Sequence, residues 1–217
     1  MGRSPGQPVA GAVEKPFLLP VEDVFCLQQG RVVKVTGRIE RGRVHKGDTV
    51  EIIGLGGSTT ALVADIEQHQ MSTGEASADM NVGVLLRDVA ADAVERGQVV
   101  ATPGSVSAHI GFSAHIALLS EEQGSTGVVS GDRLRIHVRT AAVWGTVTLP
   151  EGIGMVRPLH GSDVTVALEE PVALEEGQSF AFRHHGRAAG SGIVTELPVA
   201  HRLPPTEPLR KIPPRNT

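Results

Sequence analysis

Apolar and polar residues alternate along short stretches of this chain, and the first clear stretch begins at Arg31. Its apolar positions are Val33, Val35 and Ile39, and its polar positions are Lys34, Thr36, Arg38 and Glu40. A period of two is typical of a strand with one buried face. Further short apolar runs are separated by Gly, Ser and Asp and cover residues 49–53, 61–67, 82–86 and 98–101. Together they predict an antiparallel barrel.

A second set of strands is predicted after Thr102-Pro103-Gly104-Ser105, because Pro donates no ladder hydrogen bond and Gly adds flexibility. The predicted strands of this set are 112–119, 133–140, 143–149, 163–169, 178–183 and 188–195. One helix of about two turns is expected within the first set, before the run 98–101. Asp88 is its predicted cap, 89–94 its body and Gly97 its end.

These patterns divide the chain into four parts. Residues 1–14 are rich in turn formers and predict a linker, 15–103 and 104–197 predict two β units, and 198–217 hold six prolines among polar residues. The last part offers too little apolar surface to offset the entropy of ordering, so we expect it to be disordered.

Composition narrows the classes of function. Hydrophobic residues make up 40% of the chain but aromatic residues only 3%, so the core must be mainly aliphatic. The net charge of −4 argues against a dedicated nucleic-acid binder, and no DNA partner is predicted. One cysteine excludes an internal disulfide, and no apolar run is long enough for export or for a membrane span. A cytoplasmic location is predicted.

Candidate catalytic groups are few. Glu22 and Asp23 adjoin, but neighbouring strand residues point to opposite faces and cannot flank one scissile bond. His184-His185 lacks metal-ligand spacing and a cysteine partner, which favours a surface or turn role. Cys26 lies between Phe25 and Leu27 and is expected to be a small buried apolar residue. No metal, cofactor or catalytic residue is predicted.

A candidate basic face follows from the alternation in 133–139. Its cationic positions are Arg133, Arg135, His137 and Arg139, separated by Leu134, Ile136 and Val138. Strand geometry places such cations on one face. Two interpretations stay open: the row binds phosphates or an acidic protein, or it is a solvated barrel face with neutralising partners.

Five ordered blocks resemble elongation factor Tu. Residues 15–42, 81–87 and 95–99 resemble its second domain, and 145–152 and 177–183 resemble its third. The resemblance implies an all-β fold of two tandem antiparallel β-barrels. In the family a GTPase precedes these domains, but here fourteen residues do, and the 217 residues contain no G-x-x-x-x-G-K-S/T phosphate loop. We therefore expect a non-enzymatic, truncated homologue.

The resemblance also implies binding residues. Glu22, Asp23, Phe25, Thr36 and Asn81 match the family's pocket for the amino acid esterified to tRNA, and Arg96 matches an arginine near the tRNA 5′ end. A purely structural role, at a strand start for Glu22 and Asp23 or in a turn for Asn81, stays open. His69 replaces a family phenylalanine and Gln70 an arginine, and the loop 28–31 carries an inserted residue.

The third domain departs further from the family. Positions where the family grips the tRNA T-stem with an Arg-His pair, a lysine and a Glu-Gly turn hold Gly124-Ser125, Asp163 and His184-His185. Losing three phosphate contacts costs on the order of 3 kcal/mol, and a carboxylate adds repulsion. Ordinary tRNA delivery is not expected.

Four hypotheses about function follow. The first is a non-catalytic binding module derived from the translation factor, with a weak pocket for aminoacyl-tRNA. The second is a protein-interaction part that docks a separate GTPase domain, an exchange factor or a second copy. The third is a remnant or an antibiotic decoy, and the fourth a plain fragment of a working factor.

Overall fold

The computed structural model describes residues 12–27 and 31–198, which form sixteen β-strands. The first ten are β1 (Leu18–Pro20), β2 (Asp23–Leu27), β3 (Val32–Arg38), β4 (Arg43–His45), β5 (Thr49–Gly54), β6 (Gly57–Gln68), β7 (Met71–Thr73), β8 (Glu75–Ser77), β9 (Asn81–Arg87) and β10 (Val99–Ala101). The other six are β11 (Ser107–Leu118), β12 (Arg133–Val138), β13 (Ala141–Thr148), β14 (Gly161–Leu174), β15 (Ser179–His184) and β16 (Arg187–Glu196).

The first ten strands build one antiparallel sheet and a small accessory sheet. Eight strands pair in the order β1-β10-β5-β6-β9-β3-β2, with β7 joined to β6, while β4 pairs with β8. Strands β1 and β2 lie at the two ends of this strand order. The β1 edge returns to the segment after β3, where the Leu18 amide donates to the Arg41 carbonyl over 3.0 Å. The sheet therefore wraps around a core of its own.

That first core is almost entirely aliphatic, as the composition predicts. The alternating residues Val33 and Val35 of β3 pack with Val84 and Leu86 of β9 and with Ile52 of β5, all fully or nearly fully buried. Their outward-facing neighbours are left on the solvent side of the same strands because strand side chains alternate between faces. This outer face carries the pocket described below.

The last six strands close into an antiparallel barrel in the order β11-β14-β13-β12-β15-β16, with β16 paired to β11. Its core contains the aromatic group Phe112, Phe180 and Phe182, with Phe112 and Phe180 edge to face at 5.2 Å between ring centroids. Phe180 and Phe182 pair across strands with Gly192 and Gly190. The rings fill the space that a Cβ at either glycine would need.

The two units meet at an apolar cluster and at buried ion pairs. The apolar contacts join Leu18 and Ile53 of the first unit to Ala173 of the barrel. Beside them, the Arg139 side chain is 5% exposed and donates to Glu40 over 2.7 Å and to Glu175 over 2.8 Å. Arg41 also donates to Glu175, over 2.7 Å. The junction is therefore both apolar and charge-paired.

The predicted all-β fold is confirmed, and the second predicted barrel is closed. The predicted helix after Asp88 is wrong: only a 3₁₀ turn, Ala91–Ala93, forms there, and no side chain caps it. Asp88 has a positive φ of 61°, so it makes a turn instead of an N-cap.

The predicted boundary near Pro103 stays a prediction; β10 ends at Ala101 and β11 begins at Ser107. Most of the predicted linker, the inserted loop residues 28–30 and nearly all of the predicted disordered tail lie outside the described residues. In the part of the chain that the structure describes, no helix has the length and apolar character of a membrane span.

Candidate functional site

Four neighbouring strands of the first sheet bring the pocket residues together. Thr36 on β3 lies opposite Asp23 on β2 and opposite Gly83 on β9, and Gly83 lies opposite Glu67 on β6. Residues directly opposite each other in a sheet project from the same face. The register therefore collects these side chains on the outer face, away from the aliphatic core.

An open pocket of about 260 Å³ lies on this face. Its lining includes Glu22, Thr36 and Asn81, three of the six residues that the resemblance predicts to bind the aminoacyl group or the tRNA end. The remaining lining residues are Lys34, Gly37, Glu67, His69, Gln70, Val82 and Gly83. Three of the predicted residues thus converge on one concave, polar surface.

An ion pair between Lys34 and Glu67 crosses the pocket floor. Both side chains are about one-quarter to one-third exposed, at 26% and 29%. Lys34 reaches Glu67 by passing over Gly83: a Cβ built at Gly83 would lie 2.5 Å from Lys34 Cε. Gly83 therefore leaves the space through which the lysine crosses from β3 to β6.

Glu22 is the unpaired charge of the pocket. Among the described residues, its carboxylate makes no hydrogen bond or ion pair. Its backbone carbonyl accepts a hydrogen bond from Arg96 Nη1 over 3.1 Å, so Arg96 holds the chain at the pocket margin without neutralising the carboxylate. With Lys34 and Glu67 compensating each other, the pocket keeps one net negative charge.

Asp23, Phe25 and Arg96 do not line the pocket itself. Asp23 and Phe25 lie opposite Thr36 and Lys34, so both share the outer face at the margin. The Phe25 ring is 49% exposed.

The turn that frames the pocket has unusual backbone geometry. His69 and Gln70 connect β6 to β7 with φ values of 50° and 65°. Two positive φ values in a two-residue hairpin are typical of a type I′ turn, where Asn and Gly are favoured. Each non-glycine residue there costs on the order of 1 kcal/mol, and such strain tends to occur where side chains are positioned for binding.

Three of the four predicted basic residues share the outer face of the barrel. Arg133, Arg135 and His137 alternate along β12 with buried apolar residues. Arg133 binds Glu169 through two hydrogen bonds of 2.7 and 2.8 Å. Burial, and then the charges of Arg183 and Arg135, lower the pKa of His137. The row therefore combines one paired arginine, Arg133, with one arginine, Arg135, that makes no ion pair with a described residue.

Arg139 does not belong to this face, and the prediction that it does is wrong. β12 ends at Val138, and Arg139 lies in the turn to β13 with a φ of 50°. The turn breaks the alternation and directs the guanidinium into the junction with Glu40 and Glu175. Arg139 is a structural residue between the two units.

The positions that match the family's T-stem contacts carry little cationic character. Asp163 is 81% exposed and pairs with His115 Nδ1 over 2.8 Å. Ser125 is buried, and His184 is 6% exposed and stacks on His185 at 3.9 Å between ring centroids. Burial lowers the pKa of His184, although the nearby Asp132 carboxylate acts in the opposite direction. At these positions the barrel therefore presents one carboxylate and mainly neutral groups, and not the cations that bind phosphates.

An apparent catalytic set on the barrel does not have catalytic geometry. Ser113, His115 and Asp163 share the outer face of β11 and β14, next to a second depression of about 250 Å³. A Cβ at Gly161 would lie 3.0 Å from His115 Nε2, so this nitrogen points along β14 away from Ser113 and its partner Thr165. The imidazole cannot act as the base for that hydroxyl.

Cys26 is exposed, which corrects the prediction that it is buried. It lies in β2, the strand at the end of the sheet, where one edge has no neighbouring strand among the described residues. Within residues 12–27 and 31–198, no group of three or more His, Cys, Asp or Glu side chains is arranged to hold a metal ion.

Sequence reasoning missed Lys34 and Glu67 in the pocket and Trp144 on the barrel face. The alternation of Lys34 with Val33 and Val35 was sufficient to place it on the outer face. The alternation could not show that Lys34 reaches Glu67, because the pairing of β3 with β9 and of β9 with β6 depends on long-range register.

Comparison with family models gives two matches. Residues 33–101 match the model of elongation factor Tu domain 2, and residues 105–198 match that of the elongation factor Tu C-terminal domain. The matches cover most of the chain, in the order expected from the resemblance of its residues. Neither matched model is a GTPase domain. The chain therefore belongs to the elongation factor Tu family through that family's domain 2 and C-terminal domain.

Proposed function

We propose that this chain is a non-catalytic binding module, derived from a translation factor, whose first-sheet pocket holds the aminoacyl end of charged tRNA. The observation that carries the proposal is the convergence of Glu22, Thr36 and Asn81 on one pocket. An aminoacyl ester carries a free α-amino group that is largely protonated near neutral pH. The unpaired Glu22 carboxylate is a suitable partner for this ammonium, and Thr36 and Asn81 offer further hydrogen-bonding groups.

The binding is expected to be weak. Cationic contacts to phosphate supply much of the affinity of proteins for nucleic acids. At the barrel positions that match the family's T-stem contacts, Asp163 is an exposed carboxylate and Ser125 is buried. The aminoacyl group would thus contribute a larger share of the free energy of binding than the body of the tRNA. The cytoplasmic location of the protein stays a prediction.

Calorimetry with charged and uncharged tRNA tests the proposal. We expect charged tRNA to bind more tightly, and a stable aminoacyl-adenosine amide to bind the isolated chain. Glu22→Gln should weaken the amide by about threefold to tenfold because a charge-assisted hydrogen bond is lost. Glu121→Gln, an equal change of charge in an exposed turn of the barrel, is the matched control. Equal affinity for charged and uncharged tRNA, or no binding of either, contradicts the proposal.

A second candidate function, docking of a separate GTPase domain or exchange factor, is favoured by the surface of β2. Phe25 and Leu27 are 49% and 37% exposed on this end strand. Exposed apolar residues at an open strand edge are typical of protein contacts. Mixing the chain with a purified elongation factor Tu GTPase domain should give a complex in size-exclusion chromatography.

Leu27→Ser tests this candidate without altering a residue matched to the aminoacyl pocket. The substitution should weaken the complex, whereas Leu159→Ser should not, because Leu159 is 75% exposed on a barrel loop away from β2. A mixture in which the two proteins elute separately at every concentration rules this function out.

A further inference from the structure

Three adjacent strands of the barrel place a tryptophan and arginines side by side on the outer surface. Arg135 on β12 lies opposite Arg183 on β15 and, on its other side, opposite Trp144 on β13. Directly opposed residues project from the same face, so the three side chains form one row. We call Arg133, Arg135, Trp144 and Arg183 the Trp144 platform.

Two guanidinium groups lie within cation–π distance of Trp144. The guanidinium carbon of Arg133 lies 4.5 Å from the indole ring centroid, and that of Arg135 lies 5.3 Å away. Both distances are within the range of cation–π attraction. The indole is partly exposed, so it presents a rigid apolar surface beside the charges. This is the chain's single tryptophan.

The charges of the platform are unequally compensated. Arg133 binds the Glu169 carboxylate with both arms of its guanidinium. Arg135 and Arg183 make no ion pair with any described residue, although they lie directly opposite each other. Like charges in that arrangement destabilise a sheet pair. Their combined field is also felt by His137, whose pKa is lowered first by burial and then by Arg183 and Arg135.

We propose that the Trp144 platform is a docking surface for a carboxylate-rich segment of a partner protein. Arg133 shows the binding mode, since a guanidinium stacked on Trp144 already holds a carboxylate through two hydrogen bonds. Arg135 and Arg183 offer the same two-armed donors to Asp or Glu side chains of the partner. The Trp144 ring covers the apolar stems of that segment. Tryptophan and arginine are also the residue types that contribute most at protein interfaces.

Charge favours a protein over a nucleic acid as the occupant. Specific binding along a nucleic acid usually neutralises several phosphates, whereas this face offers two uncompensated arginines. A short acidic segment needs contact only with the platform. The inference does not depend on the aminoacyl pocket, which lies on the other unit.

The platform contains its own probe, because all tryptophan fluorescence of the chain comes from Trp144. The experiment titrates the whole chain with hexaglutamate at low ionic strength and follows the emission. Hexaglutamine and a single-stranded uridine decamer are titrated in parallel. We expect a saturable change with hexaglutamate, none with hexaglutamine, and loss of the hexaglutamate response as salt is added.

Variants assign the response to the platform. Arg135→Gln and Arg183→Gln should each weaken hexaglutamate by about threefold to tenfold. Arg157→Gln, an equal change of charge in an exposed loop outside the three strands, should leave the affinity unchanged. Absence of a saturable response to hexaglutamate, tighter binding of the uridine decamer, or an equal loss in Arg157→Gln overturns the proposal. Circular dichroism of each variant separates misfolding from loss of binding.

Discussion

The pocket on the first sheet and the outer face of the barrel differ in how they relate to the rest of the family. The pocket brings together Glu22, Thr36 and Asn81, for which the resemblance predicts a binding role. On the barrel, the positions matched to T-stem contacts hold an exposed Asp163 and a buried Ser125. In the same unit, Trp144 and its arginines form a surface that the resemblance did not indicate.

This difference separates the two halves of a tRNA carrier's task. A pocket for the aminoacyl group needs a few hydrogen-bonding side chains, while a grip on duplex RNA needs several cations at spaced positions. In this chain the pocket and the outer face of the barrel lie on different units, so a change in one need not alter the other. The experiments below test how independent the units and their surfaces are.

The largest expected effect is a loss of barrel stability in the variant Gly190→Ala. An added Cβ would lie 2.3 Å from the Ala117 carbonyl oxygen and 2.5 Å from the Phe182 ring. Neither backbone nor the packed ring can move far, so the free energy of unfolding should fall by about 3 kcal/mol or more. Urea unfolding followed by Trp144 fluorescence, which reports on the barrel, measures this change.

Gly154→Ala is the control for the same change of residue type. No atom lies within 4 Å of the Cβ that would be added at Gly154. Its unfolding free energy should stay within about 0.5 kcal/mol of the parent. Equal stabilities of the Gly190 and Gly154 variants would contradict the close packing of the Phe182 ring and the Ala117 carbonyl against Gly190.

Arg139→Met tests the junction between the units. The substitution removes the cation that Glu40 and Glu175 share. Glu40 then has no cationic partner among the described residues, whereas Glu175 keeps Arg41, and the two carboxylates repel each other. Because Glu40 is 38% exposed, part of the repulsion is screened, and a loss of about 2–3 kcal/mol of unfolding free energy is expected. Urea unfolding measures it.

Arg133→Met is the control from the same segment. Its ion pair with Glu169 is exposed at 55% and 46%, so its loss should be much smaller. If Arg133 proved as important as Arg139 for stability, the distinction between a surface arginine and a junction arginine would fail.

The fold was largely predictable from residue patterns, and the reasons lie in particular segments. Alternation in 31–40 and 133–138 predicted the strands because one face of each is buried. The alternation could not show that it ends at Val138, because Arg139 is compatible with a strand or a turn. The predicted helix cap was wrong for a similar reason: aspartate is favoured in turns as well as at helix N-caps, and Asp88 lies in a turn.

The site was predictable only as far as the resemblance pointed to individual residues. Thr36 and Glu22 could be placed by resemblance, but the crossing of Lys34 over Gly83 to Glu67 depends on a three-strand register. The same limit applies to Trp144, whose arginine neighbours come from one adjacent strand and from the strand beyond it. Short-range patterns carry no information about such pairs.

The pH dependence of stability should depend on His184, a buried histidine of the barrel. Burial lowers the pKa of this imidazole below its ordinary value of 6.5 in the folded chain. The unfolded state therefore binds the proton more readily, and stability should be full above that value and fall as the pH drops below it. Urea midpoints measured from about pH 8 to about pH 5 should decrease on the acid side.

His184→Gln should flatten this part of the pH profile, while His160→Gln should leave its slope in place. His160 is exposed in a barrel loop and does not act on the His184 imidazole, which makes it a matched control. An unchanged slope in His184→Gln would assign the acid sensitivity to other groups, such as His109 and His137, whose pKa values burial also lowers.

The smallest expected effect concerns the pocket and comes from Lys34→Met. Methionine keeps an apolar stem over Gly83 but leaves Glu67 without its cation, so two carboxylates, Glu22 and Glu67, then face the pocket. An ammonium ligand should bind more tightly, by about threefold, because one more negative charge attracts it through solvent-screened contacts. Calorimetry with the aminoacyl-adenosine amide measures the change. Lys46→Met removes the cation from a comparable pair with Asp65 outside the pocket and should have no effect. Weaker binding in Lys34→Met would instead mean that Lys34 itself contacts the ligand, and that the pocket recognises an anionic group beside the ammonium.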